Sequence, residues 1–267
     1  DAPASKAKLI VIDECSMVDA DLGRDLMSFD CPLLVLGDPA QLPPIAGGGF
    51  FTEAEPDAML TEVHRQAQND PIVRMSMAVR EGRALETGQF GDSEVVSRNA
   101  LDPDRVMAAD QILVGRNNTR RAYNMRVRQK NGIEDALPVA GDKLVCLRNN
   151  RKKALFNGGL WRVKARAQSK SKIITMRLSP EEDFGAKVTK VSVRADCFNG
   201  GIEDLPWDQR KPYDEFDYGY VLTVHKSQGS QWDDVVLFDE SFAFQDSRAR
   251  WLYTGITRAA KRLSVVV

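Results

Sequence analysis

The chain has 267 residues, a hydrophobic fraction of 43% and a formal net charge of -1, so it can bury a core but shows no global attraction to nucleic acid. Its four cysteines form no CxxC pair and it has only two histidines, which argues against a zinc site and favours a reducing, cytoplasmic setting. No apolar run approaches the length of a membrane span, so no membrane partner is expected.

Two short apolar runs dominate the first part of the chain, at residues 9–12 and 33–36. Their continuous, β-branched character predicts strands of a parallel sheet that are buried on both faces. Polar residues follow each run, with Asp13 and Glu14 after the first and residues 37–44 after the second. Because ligands in open α/β sheets bind beyond the carboxyl ends of the strands, both polar clusters are expected on one rim.

The two polar clusters suit the hydrolysis of a nucleoside triphosphate. Asp13 would hold Mg²⁺ through its water shell, Glu14 would orient and polarise the attacking water, and Gln41 would sense the γ-phosphate. Mg²⁺ prefers oxygen ligands and takes only one or two protein carboxylates. An Asp-Glu pair also occurs by chance at solvated strand ends, so the interpretation depends on the second cluster.

Helices are predicted over residues 19–29 and from the Asp70-Pro71 start to Gly82, since an acidic cap followed by proline begins a helix. Residues 81–91 are expected to form a hinge into a second domain. In the first helix Leu22, Leu26 and Phe29 are expected near one face. In the second, Ile72, Met75 and Val79 are expected to form a buried face.

A basic helix is predicted after a short buried strand at residues 111–115. It carries the densest set of cations in the chain, which makes it the best local candidate for contact with phosphates, with a solvated helix face as the alternative. Its cations are Arg120, Arg121, Arg126, Arg128 and Lys130.

Residues 138–217 are β-rich and partly alternating, with turn signals at 157–159 and 199–201. This pattern predicts a small β-barrel inserted between two halves of the second domain. The remaining elements predicted are strands at 218–224, 234–238 and 263–267, and a helix beginning at residue 246.

Five segments carry a family resemblance: IDECSMV at 12–18, LVLGDPAQLPP at 34–44, LTEVHRQ at 60–66, TVHKSQGSQ at 223–231 and TGITRA at 254–259. Their order and spacing resemble the superfamily-1 DNA helicases, above all the RecD-like group that includes the α subunit of exodeoxyribonuclease V. The resemblance implies α/β, RecA-like parallel-sheet motor domains, the first one partial, with an SH3-like β-barrel inserted in the second. The implied boundaries are 1–85 for the first motor domain, 86–137 and 218–267 for the second, and 138–217 for the barrel.

The resemblance also implies roles for matching positions, with ATP and Mg²⁺ as cofactors and single-stranded DNA as partner. The residues implied at the γ-phosphate are Arg65 and Arg258, those facing the nucleotide are Gln228, Gly229 and Gln231, and those contacting DNA are Asn117, Arg120, Thr223, His225 and Lys226. Many relatives carry glutamate where Gln231 stands, and glutamine can still accept a hydrogen bond from the ribose without the charge.

A phosphate-binding loop of the form G-x-x-x-x-G-K-[ST] does not occur in these 267 residues. In the family this loop precedes the Asp-Glu motif, so the chain is expected to be the C-terminal portion of such a helicase. Without the loop the β- and γ-phosphates have no cradle, so the chain alone is expected to hydrolyse ATP poorly or not at all.

The expected function is that of an ATP-dependent DNA helicase, for which the resemblance favours 5′-to-3′ movement. The alternatives are a non-catalytic DNA- or partner-binding module, which would have no use for the acidic and arginine residues, and an RNA helicase of a related branch. Whether the protein acts alone or with subunits of a nuclease complex stays open. The process also stays open among DNA repair, recombination, plasmid transfer and phage replication.

Overall fold

The computed structural model describes residues 3–44, 49–52, 54–60, 69–167, 172–181 and 188–267. They form two compact units, the first made of Asp1–Gly115 with Ser227–Val267 and the second of Arg116–Lys226. Both helices and strands build the fold, which is of the α/β class. The expected domain boundaries near residues 85, 137 and 217 remain predictions.

The strands and α-helices are numbered in chain order. The strands are β1 (Ile10–Ile12), β2 (Leu33–Val35), β3 (Gly88–Phe90), β4 (Ser93–Val96), β5 (Gln111–Val114), β6 (Lys143–Cys146), β7 (Leu160–Arg166), β8 (Ile173–Pro180), β9 (Thr189–Arg194), β10 (Phe216–Tyr218), β11 (Val221–Thr223), β12 (Trp232–Phe238) and β13 (Ala259–Val266). The α-helices are α1 (Ala20–Met27), α2 (Pro71–Arg80), α3 (Pro103–Ala108), α4 (Asn117–Lys130), α5 (Asp196–Asn199), α6 (Trp207–Arg210) and α7 (Arg248–Ile256).

In the first unit, β1 and β2 pair in parallel, as the two apolar runs predicted. The helix α1 connects them, and it begins where the Asp19 carboxylate accepts a hydrogen bond from the Leu22 amide at 2.9 Å. The inner face of the pair packs around a small core. Its residues are Ile10, Ile12, Cys15, Val18, Leu26, Leu33, Val35 and Phe51.

The prediction that both faces of these strands are buried is wrong. Val11 and Leu34 are paired across the two strands and remain 55% and 47% exposed. Side chains alternate between the two faces of a sheet. The residues before and after Val11 and Leu34 therefore point to the opposite, inner face. Leu22 of α1 is also exposed.

A larger sheet in the first unit carries β5, β12, β13, β4 and β3 in that order. The first four of these strands run parallel, and β3 is antiparallel to β4. Continuous apolar runs such as Leu113–Val114 in β5 and Val235–Leu237 in β12 are fully buried, as expected for the interior strands of a parallel sheet. The helices α2 and α7 pack against one another beside this sheet.

The second unit contains an antiparallel sheet with the strand order β10-β6-β7-β8-β9. An isolated parallel bridge joins Val193 of β9 to Asp214, two residues before β10. The face of the sheet that packs inward is lined by apolar residues from all five strands, among them Leu144, Trp161, Met176, Val191 and Phe216.

The helix α4 is held to this sheet by an ion pair that is fully buried. The Arg128 Nε lies 3.1 Å from the Asp142 Oδ1, with both side chains at 0% exposure. Arg128 also donates to the carbonyl oxygens of Asp135 and Leu137 and stacks on the Tyr218 ring. The prediction that this basic helix presents its cations to phosphate is therefore wrong for Arg128.

Replacing Arg128 with methionine is expected to lower the free energy of unfolding by about 3–5 kcal/mol, because Asp142 stays buried without its cation. Urea denaturation measures this change. The matched control is Arg126→Met, an exposed position on the same helix, where a change within about 0.5 kcal/mol is expected. Equal stabilities for the two variants would contradict the structural role of the pair.

The longest described helix, α4, has 14 residues, and none of the described helices has the length and apolar character needed to cross a membrane.

Candidate functional site

The ends of β1 and β2 bring the two polar clusters to the same rim of the first unit. The Leu36 amide donates to the carbonyl oxygen of Ile12 at 2.8 Å, and the Cys15 amide donates to that of Leu36 at 3.0 Å. Burial raises the pKa of the Cys15 thiol, and the carboxylates of Glu14, Asp13 and Asp38 push it further in the same direction. The charges of three carboxylates thus act on the Cys15 thiol at this rim.

Glu14 adopts a backbone conformation that is uncommon for a residue with a side chain. Its φ is 52° and its ψ is 46°, in the left-handed region, and its amide donates to the Asp13 Oδ1 at 2.8 Å. Holding a residue with a side chain in this backbone conformation costs of order 1–3 kcal/mol of stability, and such residues cluster at functional sites. The Glu14 Oε2 is buried and accepts no hydrogen bond from the residues that the structure describes.

Gln41 lies in the rim loop, which we define as residues 38–42. The loop is closed by hydrogen bonds from the Ala40 amide to the Asp38 Oδ1 at 2.9 Å and from the Gln41 amide to the Asp38 carbonyl oxygen at 3.1 Å. The Gln41 Oε1, like the Glu14 Oε2, is buried without a hydrogen-bond donor among the described residues. Leaving a buried acceptor without a hydrogen bond costs about 1–3 kcal/mol. A ligand that donates hydrogen bonds to these two oxygens would recover that free energy on binding.

Arg258 follows the end of α7 by two residues and lies within electrostatic range of Glu14 and Asp38. It is 6% exposed, and its guanidinium donates to the carbonyl oxygens of Thr254 and Ser230 and to the Thr257 hydroxyl, at 3.1–3.2 Å. Burial lowers the pKa of Arg258, and the charge of Glu14 opposes that shift most strongly. The structure therefore brings Asp13, Glu14, Gln41 and Arg258 into one neighbourhood.

The residues expected to face the nucleotide differ in their contacts and exposure. The Gln228 Nε2 donates to the carbonyl oxygen of Leu42 at 2.8 Å, so this amide holds the rim loop. Gly229 has a φ of 74°, a conformation that favours glycine. Gln231 is exposed, and Arg65 lies outside the described residues.

Sequence reasoning missed three residues that shape this rim. Asp38, Tyr253 and Thr254 make hydrogen bonds between the rim loop and α7. The one available signal was that Asp38 and Thr254 lie inside the recognised motifs and that Tyr253 directly precedes TGITRA.

The residues expected to contact DNA lie in the second unit around one carboxylate. The Arg120 Nη1 lies 2.7 Å from the Asp217 Oδ2, its Nε donates to the Asn117 Oδ1 at 3.3 Å, and its side chain is 5% exposed. A guanidinium in this position orients Asn117 and is not presented on an open surface. The prediction of a direct phosphate contact therefore fits Asn117, which is exposed, better than Arg120.

Lys226 lies close to the same ion pair. Burial lowers the pKa of Lys226, Arg120 lowers it further and Asp217 opposes the shift. The Thr223 hydroxyl is buried and accepts from the Lys226 amide at 3.3 Å. Burial also lowers the pKa of His225, which favours its neutral form near pH 7. Two cations beside one carboxylate leave an excess of positive charge, which suits a phosphate.

Comparison with known proteins gives matches to two domain families and to a helicase. The profile of the UvrD-like helicase C-terminal domain matches residues 218–266, and that of an AAA domain matches residues 2–98. The ATP-dependent RecD2 DNA helicase of Deinococcus radiodurans is 26% identical over 270 residues, a match that covers 95% of this chain and 35% of that protein.

Solved structures with the same fold include Pif1 helicases. The crystal structure from Candida albicans aligns with a TM-score of 0.60 at 16% identity and covers 98% of this chain and 72% of that chain. A Bacteroides Pif1 helicase in complex with ADP-AlF3 and ssDNA aligns with a TM-score of 0.57 at 14% identity, over 98% of this chain and 71% of that chain. At these identities the likeness concerns the fold.

These matches make the chain similar to the superfamily-1 helicases, through the UvrD-like profile over its C-terminal part. Among those helicases, a RecD2 enzyme is similar to it over nearly its whole length. The chain spans about a third of that relative's length.

Proposed function

We propose that this chain carries the hydrolytic rim and part of the DNA path of an ATP-dependent DNA helicase. The observation that carries the proposal is that the Glu14 Oε2 and the Gln41 Oε1 are buried acceptors without a partner among the described residues, with Arg258 within electrostatic range of Glu14. Hydrolysis of a γ-phosphate needs an acceptor for the protons of the attacking water, a polar side chain beside the phosphate and a cation for the developing charge. These three residues supply those groups.

Glu14 is the residue that we assign to the attacking water. Its Oε2 would accept a proton of that water and orient the oxygen lone pair towards the phosphorus. The left-handed backbone at Glu14 fixes the direction of the side chain. Gln41 would mark the presence of the γ-phosphate, and Arg258 would stabilise the charge that builds on its oxygens.

Mg²⁺ fits the donor set of this rim. Among the described residues no cluster of three or more carboxylate, histidine or cysteine side chains could hold a metal by itself. Mg²⁺ keeps several waters and binds proteins through one or two carboxylates together with substrate phosphates, and Asp13 offers one exposed carboxylate at the strand end. When bound there, the ion would neutralise charge on the phosphates.

The remaining features of the proposed motor are those that the resemblance to RecD-like helicases implies. Two motor domains would close on ATP and open after hydrolysis, Arg65 would serve beside Arg258, and movement would run 5′ to 3′ on single-stranded DNA. The antiparallel sheet of the second unit would form the SH3-like barrel, for which the bridge between Val193 and Asp214 is supporting evidence. The four free cysteines fit a reducing, cytoplasmic compartment.

Single-stranded DNA is the proposed partner of the second unit. The chain should bind single-stranded DNA more tightly than single-stranded RNA of the same sequence in a fluorescence-anisotropy titration. Equal binding would favour the RNA helicase of a related branch. Binding without hydrolysis in any longer form of the protein would favour a non-catalytic module.

Replacing Lys226 with methionine is expected to weaken binding of single-stranded DNA and to reduce the slope of log K against log salt concentration by about 1, because one phosphate contact is lost. Titrations at several salt concentrations measure the slope. The control is Lys261→Met, an exposed position paired with Asp233 in the first unit, which should leave the slope unchanged. An unaltered slope for Lys226→Met would remove Lys226 from the DNA path.

A further inference from the structure

Three hydrogen bonds tie the rim loop to segments that lie far along the chain. The Tyr253 hydroxyl donates to the Asp38 Oδ2 at 2.6 Å, and the Leu42 amide donates to the Thr254 Oγ1 at 2.9 Å. The third is the bond from Gln228 to the Leu42 carbonyl oxygen. The loop is thus fixed at both of its ends, with Gln41 between the fixed points.

Tyr253 and Thr254 of α7 have the burial and the protonation state that their hydrogen bonds to the rim loop need. Thr254 is fully buried and Leu42 is 1% exposed, so their hydrogen bond is shielded from water. Burial raises the pKa of Tyr253, and Asp38 raises it further, so the hydroxyl keeps its proton and donates at neutral pH. A donor to a carboxylate makes a stronger hydrogen bond than one between neutral groups.

The same helix also sets the position of Arg258. The Thr254 carbonyl oxygen accepts from the Arg258 Nε at 3.1 Å, and the same residue's hydroxyl accepts from the rim loop. One turn of helix therefore bonds on one side to the loop that carries Gln41 and on the other to the guanidinium. A displacement of α7 changes the position of both groups together.

We propose that Tyr253 and Thr254 are positioning residues, whose hydrogen bonds latch the rim loop to α7 when the motor domains are closed, so that Gln41 and Arg258 reach the γ-phosphate together. This inference rests on the proposed function and says what holds Gln41 and Arg258 in position relative to each other. Neither residue is assigned a contact with the nucleotide. The latch acts on the chemical step, since a displacement of about 1 Å at a reacting centre can cost roughly 100-fold in rate.

The kinetic test needs a protein that hydrolyses ATP, which we define as the loop-bearing protein: these 267 residues preceded by a G-x-x-x-x-G-K-[ST] loop in one chain. In it, Tyr253→Phe is expected to lower kcat by roughly 10-fold to 100-fold and to leave KM for ATP within about twofold. Asp38→Ala, which removes the acceptor, should lower kcat at least as much. The double variant should be little worse than Asp38→Ala, because Tyr253→Phe and Asp38→Ala remove the same hydrogen bond.

Tyr220→Phe is the matched control. The Tyr220 hydroxyl also donates to a carboxylate, the Asp142 Oδ1, at 3.0 Å, and it lies in the second unit. This variant should lose stability to a similar degree and keep the kcat of the parent protein. A Tyr253→Phe variant with the kcat of an active parent, or one whose loss matches that of Tyr220→Phe, would overturn the positioning role.

A second measurement uses the 267-residue chain itself and needs no nucleotide. In Thr254→Val the Leu42 amide loses its acceptor, so its hydrogen exchange should become at least about 10-fold faster than in the parent chain, while amides in β12 keep their protection. Unchanged exchange at Leu42 would overturn the latch. If the loop-bearing parent hydrolyses no ATP, the proposed function fails, and the exchange result still decides whether the latch exists.

Discussion

Glu14→Gln is expected to lower ATP hydrolysis by the loop-bearing protein by roughly 100-fold to 10,000-fold, the usual contribution of a positioned general base. The amide keeps the size of the side chain but cannot take a proton from water. Nucleotide affinity should stay within about threefold of the parent, because Glu14 is assigned to the water and not to the phosphates. Phosphate release measures the rate, and titration with a fluorescent ATP analogue measures the affinity.

The control for this substitution is Glu134→Gln, at an exposed position in the second unit. It should leave both quantities unchanged. Hydrolysis by Glu14→Gln at the rate of the control would show that another residue activates the water, and the assignment of the unpartnered Oε2 would have to be withdrawn.

Arg258→Lys is expected to lower kcat by about 10³-fold to 10⁵-fold in the loop-bearing protein, as when an arginine finger is lost elsewhere. Lysine keeps the positive charge but lacks the planar fork that bonds to Thr254, Ser230 and Thr257. The remaining ammonium cannot meet two phosphate oxygens with the same geometry. Single-turnover hydrolysis separates this effect on chemistry from any effect on binding.

The control is Arg262→Lys, at an exposed position in β13, the strand that follows α7. This variant should retain the kcat of the parent protein. Because Arg258 is buried, thermal unfolding should be measured for both variants. A folded Arg258→Lys variant with less than a threefold loss in kcat would contradict its place at the γ-phosphate.

Local sequence patterns predicted the first strands and helix because each of them is set by a few neighbouring residues. The runs that became β1 and β2 are short and apolar, and Asp19 caps the helix between them. The exposure of Val11 and Leu34 was not predictable in this way. A strand pattern reports that its residues prefer burial, whereas coverage of each face depends on what packs there.

The basic helix shows a similar limit. Its cations are evident from the sequence, but the burial of Arg120 and Arg128 depends on Asp217 and Asp142, which belong to other elements. A run of cations on a helix therefore does not distinguish a phosphate-binding face from a set of buried ion pairs.

At the rim, the acidic pair and Gln41 were found from their motifs, while the bonds that hold them were not. The hydrogen bond from Tyr253 to Asp38 joins residues 215 positions apart, and that from Leu42 to Thr254 joins residues 212 positions apart. No local pattern carries such pairings. The left-handed backbone at Glu14 was equally hidden, because glutamate has no local preference for that conformation.

The most direct measurement is the rate of ATP hydrolysis by the loop-bearing protein and by the 267-residue chain, each with and without single-stranded DNA. Hydrolysis is expected only in the loop-bearing protein, with a stimulation by DNA of at least about 10-fold. Its absence there under both conditions would contradict the proposed roles of Asp13, Glu14, Gln41 and Arg258. Hydrolysis at the same rate by the 267-residue chain would contradict the need for a separate phosphate-binding loop.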